Sequence, residues 1–166
     1  MDSNCKSHIE RINQQIKELM GAYRDAIRYL EISESEFWVW YTLTAMDGNY
    51  TQQDICNMWS LPKQTVNTVI SHMKRKKYAY LEAVPGRRTK KTIFLTEEGK
   101  ARGNAIVSLI TSAEESVYSA IPPEEFAQVT STFGKYIHVI RKELSTRVAR
   151  LTSRKTRKTR KEGSAL

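Results

Sequence analysis

Four side chains, Gln64, Asn67, Thr68 and Ser71, carry amide or hydroxyl groups and follow one another at steps of three, one and three. On a helix that spacing places them on one face. Amides and hydroxyls are the groups that exchange hydrogen bonds with base edges in the DNA major groove. Lys63, Lys74 and Arg75 flank them, where phosphates would run. Further along, Arg87, Arg88, Lys90 and Lys91 crowd the stretch that follows Pro85-Gly86. Arginine on a narrow hairpin tip is the side chain suited to enter a minor groove. The chemistry on offer is hydrogen bonding and charge, not covalent catalysis.

The charge distribution agrees. The chain has 166 residues, 27 Lys+Arg against 18 Asp+Glu, and a formal net charge of +9. That charge is not spread evenly: residues 1–50 carry −3, 51–96 carry +7, 97–146 carry −2 and 147–166 carry +7. Two basic blocks on a mildly acidic frame point to an anionic partner, and the central block coincides with the polar face described above.

Other functions find no foothold. No G-x-S-x-G, H-E-x-x-H or Walker sequence occurs, and the three histidines, His8, His72 and His138, have no metal-ligand spacing. An enzyme, a cofactor and a metal are therefore not expected. Cys5 and Cys56 make no disulfide framework. Cys56 is expected to be a small core residue and Cys5 a plain thiol. No apolar run approaches the roughly 18 residues of a membrane span. The polar segment Met1–Lys6 lacks the apolar core of a secretory signal, so a cytoplasmic location is expected.

Helices dominate the elements that must position these side chains. Ile9, Ile12, Ile16, Leu19, Tyr23, Ile27 and Leu30 form one seam down a long first helix. Ser33 and Glu36 make a capping-box pattern ahead of Phe37–Leu43, a helix apolar nearly all round and hence central. The pattern repeats at Thr51 and Asp54 before a short helix whose inward face is expected at Ile55 and Met58. Pro62 then opens the helix of the polar face, with Val66, Val69, Ile70 and Met73 turned inward. Two strands, Tyr78–Val84 and Lys91–Leu95, form a hairpin with a basic tip. Thr96 caps a further helix with Ile106, Leu109, Ile110, Ala113 and Val117 on its inward stripe. Pro122-Pro123 starts the last helix, with Phe126, Val129, Phe133, Ile137, Ile140 and Leu144 in a second long seam. Beyond Arg147 the run of Arg, Lys, Ser and Thr is expected to be disordered, because like charges repel and nothing apolar offsets the ordering entropy. The aromatic group Tyr23, Phe37, Trp38, Trp40 and Tyr41 reads as core more readily than as a ligand cavity.

Short helix, turn, polar-faced helix and basic hairpin together make a winged helix-turn-helix. Residues 51–99 resemble the central module of MarR-type transcriptional regulators. The resemblance is carried by Thr51-Gln52-Gln53-Asp54-Ile55, Leu61-Pro62-Lys63-Gln64-Thr65-Val66-Asn67, and the wing Arg87-Arg88-Thr89-Lys90-Lys91-Thr92-Ile93-Phe94-Leu95-Thr96-Glu97-Glu98-Gly99. The helix order extends it to about residues 5–147. It implies a mainly α fold, a winged helix-turn-helix with long N- and C-terminal dimerisation helices. The chain is expected to fall into four parts: a dimerisation helix (1–32), the DNA-binding module (33–99), C-terminal dimerisation helices (100–147) and a basic tail (148–166), the last not a common feature of the family. The expected function is a homodimeric, sequence-specific regulator of transcription, repressor or activator, that binds a pseudo-palindromic double-stranded operator and responds to a small-molecule ligand. The resemblance adds Gln52 and Thr65 to the DNA-facing set, and Arg88, with Arg87 beside it, matches the minor-groove arginine. Departures from the pattern are Ser60 where relatives often have glycine, Tyr78-Ala79 where a glycine often enters the wing, and no acidic residue at the tip. The alternative from another class is a dimeric RNA-binding or protein-interaction module that uses the basic hairpin.

Overall fold

The computed structural model describes the backbone of residues 3–83 and 91–162, and side chains for 4–83 and 91–153. Six helices and one antiparallel strand pair appear among them. Their order is α1 (Ser3–Tyr29), α2 (Glu34–Thr44), α3 (Gln52–Trp59), α4 (Lys63–Arg75), β1 (Ala79–Ala83), β2 (Lys91–Leu95), α5 (Glu97–Ala120) and α6 (Pro123–Glu162). The chain divides into two compact units, Met1–Glu115 and Ser116–Leu166.

In the first unit the core forms around α2. Phe37 and Val39 are fully buried, and Trp38 and Trp40 nearly so. Each such side chain contributes about 1.5–3 kcal/mol of burial. Ser33 starts the helix as the sequence predicts, its Oγ accepting the Glu36 N–H at 3.1 Å. Val66, Ile70 and Met73 of α4 pack into the same core with Ile55 of α3, Ile93 of β2 and Ile106 of α5. The strands pair Ala79 with Leu95 through Ala83 with Lys91. Thr51 adds an isolated bridge to Thr92, and the Ile93 N–H donates to the Tyr50 carbonyl at 2.9 Å. Strand β2 is thereby tied to the residues that start α3.

Two inward faces differ from the sequence expectation. On α3, Met58 is exposed and Trp59 instead joins Ile55 inside, beside Cys56, which is buried as expected. Trp59 stacks on Trp38 with ring centroids 4.1 Å apart and planes at 19°. Its Nε1 donates to the Thr42 Oγ1 at 2.7 Å, which in turn donates to the Trp38 carbonyl. On α5, Leu109, Ala113 and Val117 are exposed, while Gly99, Gly103, Ile106, Val107 and Ile110 are buried. Glycine sets this face because the helix runs against backbone and against α2. A Cβ on Gly99 would collide with the Tyr78 carbonyl, and one on Gly103 with the Thr44 hydroxyl.

A polar clasp joins three helices of this unit. The hydroxyls of Tyr23 on α1 and Tyr41 on α2 donate to the two oxygens of Glu114 on α5, at 2.7 and 2.8 Å. Burial, the hydrogen bond to Glu114 and its charge push the Tyr41 hydroxyl pKa up to about 12, and the same causes raise Tyr23 further.

In the second unit, the ring of Tyr118 meets that of Phe126 edge-on at 5.3 Å. Along α6, Val129, Phe133, Ile137, Ile140 and Leu144 are 38–65% exposed. The basic segment expected to lose order continues as α6 to Glu162. Lys and Arg are good helix formers, and extending an existing helix carries no nucleation cost.

Candidate nucleic-acid interface

The helix-turn-helix is built from local chemistry. Thr51 caps α3 through a reciprocal box: its N–H and hydroxyl donate to the Asp54 carboxylate at 2.9 and 2.7 Å, and its Oγ1 accepts the Asp54 N–H at 3.3 Å. Ser60 ends the helix at φ 53°, ψ 35°, the left-handed conformation glycine adopts more readily. Serine thus makes the same turn. Leu61 N–H reaches back to the Cys56 carbonyl at 3.1 Å, closing the motif. Pro62 is the N-cap of α4, which begins at Lys63, one residue after the start that the sequence suggests.

At its other end α4 stops by the same device. Lys77 has φ 60°, its N–H donates to the Lys74 carbonyl at 3.0 Å, and the Tyr78 N–H to the Met73 carbonyl at 2.9 Å. Such paired bonds satisfy carbonyls that would otherwise be left open and turn the chain straight into β1.

On α4 between these caps, Lys63, Asn67, Ser71 and Arg75 are exposed and follow one another every four residues, forming one row. Gln64, Thr68 and His72 form the adjacent row, also exposed. That second row, with half-buried Thr65, lines an open groove of about 500 Å³ against Ser33 and Glu36 at the start of α2. The Thr68 hydroxyl donates to the Gln64 carbonyl at 2.9 Å, so its oxygen keeps acceptor capacity toward a base. Lys74 is exposed beside the first row, Gln52 is half-buried at the first position of α3, and Lys91 is exposed at the start of β2. Arg87, Arg88 and Lys90, with the rest of the hairpin tip, lie outside the described residues. Lys76, Lys77 and His72 are exposed on or just after α4 and extend its polar surface. The run Lys74–Lys77 in the sequence was the signal for the first two, whereas His72 becomes part of the groove only through the packing of α2.

Among the described residues no group of three or more His, Cys, Asp or Glu side chains could hold a metal ion, and no helix is long and apolar enough to cross a membrane.

A MarR family regulator from Neisseria meningitidis, NMB1585, superposes with a TM-score of 0.71 at 24% identity, covering 83% of this chain and 96% of that one. The chain has a MarR-like winged-helix fold. Staphylococcus aureus MepR in its DNA-binding conformation gives a TM-score of 0.62 at 20% identity over 81% of this chain and 98% of that one. The MepR–DNA complex gives 0.54 at 23% identity, over 80% and 97%. No protein-family model matches the chain, and no curated protein matches it. The winged-helix arrangement expected from residues 51–99 is therefore present among the described residues.

Proposed function

We propose that this protein is a homodimeric, sequence-specific DNA-binding regulator of transcription. The observation that carries this reading is the exposed row Lys63, Asn67, Ser71 and Arg75 on α4, set on a helix-turn-helix to which the wing strands are tied. Asn67 and Ser71 supply the hydrogen-bonding groups that distinguish bases, and Lys63 and Arg75 bracket them with phosphate-pairing charge. Gln52, Gln64, Thr65, Thr68, Lys74 and Lys91 complete the described part of the interface; Arg88, with Arg87 beside it, serves the minor groove, and Lys90 adds DNA-binding charge. The fold shared with NMB1585 and MepR supports the same reading.

The apolar seam of α6 is the surface for a second copy. Large apolar side chains exposed in series along a helix have a strong drive to be covered. A symmetric dimer spaces two recognition helices about 34 Å apart, one turn of DNA, and so selects a pseudo-palindrome. The protein acts in the cytoplasm and takes a small-molecule ligand as its signal.

The test is protection of DNA. Full-length protein is footprinted on the promoter region beside its own gene, then titrated against a duplex carrying the protected sequence, a scrambled duplex and a structured RNA at fixed salt. Protection of a pseudo-palindrome and preference for that duplex by a factor of 10³ or more is the expected result. Equal affinity for scrambled DNA, or preference for the RNA, overturns the reading.

A further inference from the structure

A second cavity, of about 280 Å³, opens where α2, the end of α4 and the start of α5 meet. Its apolar walls are Trp40, Met73 and Tyr78. Trp40 and Met73 are each 2% exposed, and the Trp40 and Tyr78 rings are 5.9 Å apart. Its charged lining is Glu36 from α2, Lys76 after α4 and Arg102 from α5, with His72 beside them.

Two features of this lining ask for an occupant. Opposite charges face one small cavity, yet among the described residues neither Lys76 nor Arg102 has a carboxylate within 4.0 Å, and Glu36 has no cation at that distance. A space that separates one acid from two bases is filled best by a molecule carrying both charges. The second feature is the Trp40 indole, whose Nε1 is buried without a hydrogen-bond partner among the described residues. An unpartnered buried donor is a standing cost that an acceptor removes.

We infer that this cavity binds a small zwitterion of the α-amino-acid type. Arg102 and Lys76 hold its carboxylate, and a shift of the Trp40 ring toward it gives the buried N–H an acceptor. Glu36 holds its ammonium group, and Trp40, Met73 and Tyr78 pack its apolar side chain. The volume suits one single-ring or branched side chain. The inference deepens the regulatory reading by naming the ligand class and its site, and it does not need DNA for its test. Its consequence does rest on that reading. His72 and Met73 belong to α4, and the cavity shares Glu36 and His72 with the groove lined by Gln64 and Thr68. An occupied cavity therefore braces the polar-faced helix against α2.

The experiment is calorimetric titration of the full chain, without DNA, with L-phenylalanine and L-leucine. Phenethylamine, which lacks the carboxylate, and 3-phenylpropionate, which lacks the ammonium, are the controls. At least one amino acid is expected to bind, with each half-ligand at least tenfold weaker than L-phenylalanine. Glu36→Gln should bring L-phenylalanine down to the level of 3-phenylpropionate, and Arg102→Gln to that of phenethylamine. Circular dichroism of both variants shows whether they remain folded. No binding of either amino acid overturns the inference, as does 3-phenylpropionate binding as tightly as L-phenylalanine, or two folded variants that bind as the parent does. Operator affinity of the unliganded protein, measured separately, reports on the regulatory reading alone.

Discussion

Gly99 lies so close to the carbonyl oxygen of Tyr78 that a Cβ at position 99 would collide with it. That carbonyl also accepts the Thr96 N–H at 3.0 Å and lies 3.3 Å from the Thr96 hydroxyl, which caps α5 through the Gly99 N–H at 3.0 Å. The end of the wing and the start of α5 are thus locked to the turn after α4 by one small knot. Gly99→Ala forces this knot apart. Overpacking of this kind costs about 1–3 kcal/mol, and the clash with rigid backbone puts the cost in the upper half of that range. Urea denaturation of the variant should show it as a lower midpoint with an unchanged slope. A midpoint equal to that of the parent would mean that α5 does not approach Tyr78 this closely.

The two left-handed residues that end α3 and α4 offer the opposite outcome. Ser60 and Lys77 hold φ of 53° and 60°. A side chain there costs about 1–2 kcal/mol relative to the right-handed region, part of which glycine gives back through its freer unfolded chain. Ser60→Gly and Lys77→Gly are each expected to stabilise the fold by about 0.5–1 kcal/mol. Thermal melts that show either variant destabilised would contradict these turns.

Local chemistry made much of this legible in the sequence. The Thr51–Asp54 box and the Ser33 cap depend only on residues three apart, and the strand Lys91–Leu95 was bounded correctly by its flanking turn residues. What failed needed a distant partner. Met58 and Trp59 are equally apolar choices for the inside of α3, and Trp59 wins because Trp38 is there to stack on and Thr42 to accept its N–H. The buried face of α5 was read only in part: Ile106 and Ile110 lie on it as expected, but Gly99 and Gly103 carry no apolar side chain to mark the rest. Glycine signals close approach only once the surface approached is known. In the candidate site, the exposed polar residues of α4 were readable from periodicity. The division of that face into an outer row and a groove-lining row comes from the packing of α2, which no helical period encodes.

The Tyr41–Glu114 bond sets a pH dependence. The folded protein holds the Tyr41 proton to about pH 12, against 10.0 for the free side chain, because burial and the bond to Glu114 disfavour phenolate. Below pH 10 the tyrosine is protonated in both folded and unfolded chains, and its full contribution is present. As pH rises above 10 the unfolded chain releases the proton first, so stability falls through the window up to about 12. Tyr41→Phe removes this contribution and should flatten the alkaline loss relative to the parent in urea titrations between pH 9 and about 12. At neutral pH it should cost about 1.5 kcal/mol for a hydrogen bond to a charged group. Parallel pH curves for parent and variant would show that this clasp does not titrate as described.

Substitutions on α4 separate information from attraction. Asn67→Ala should reduce discrimination between operator and scrambled duplex by about 1–3 kcal/mol for a lost base contact. Lys63→Ala should weaken both duplexes alike and lessen the salt dependence by about one counterion per site. Anisotropy titrations at several salt concentrations measure both quantities at once. If Lys63→Ala changes preference and Asn67→Ala only affinity, the roles assigned along the outer row are reversed.

The seam on α6 is tested by charge. Ile137 and Ile140 are 38% and 39% exposed in a row of apolar side chains along α6. Within one chain, replacing either by aspartate removes little burial, so the first unit should stay folded and keep its melting transition. Between two copies the same change places a charge at the centre of an apolar contact, and in a symmetric pair it does so twice. Central apolar residues of interfaces carry about 2 kcal/mol or more each. Ile137→Asp should therefore shift sedimentation from dimer toward monomer and lower affinity for the full pseudo-palindrome by tenfold or more. Affinity for an isolated half-site should stay nearly unchanged. A variant that remains dimeric and binds the full operator as before would place the contact between copies elsewhere than on α6.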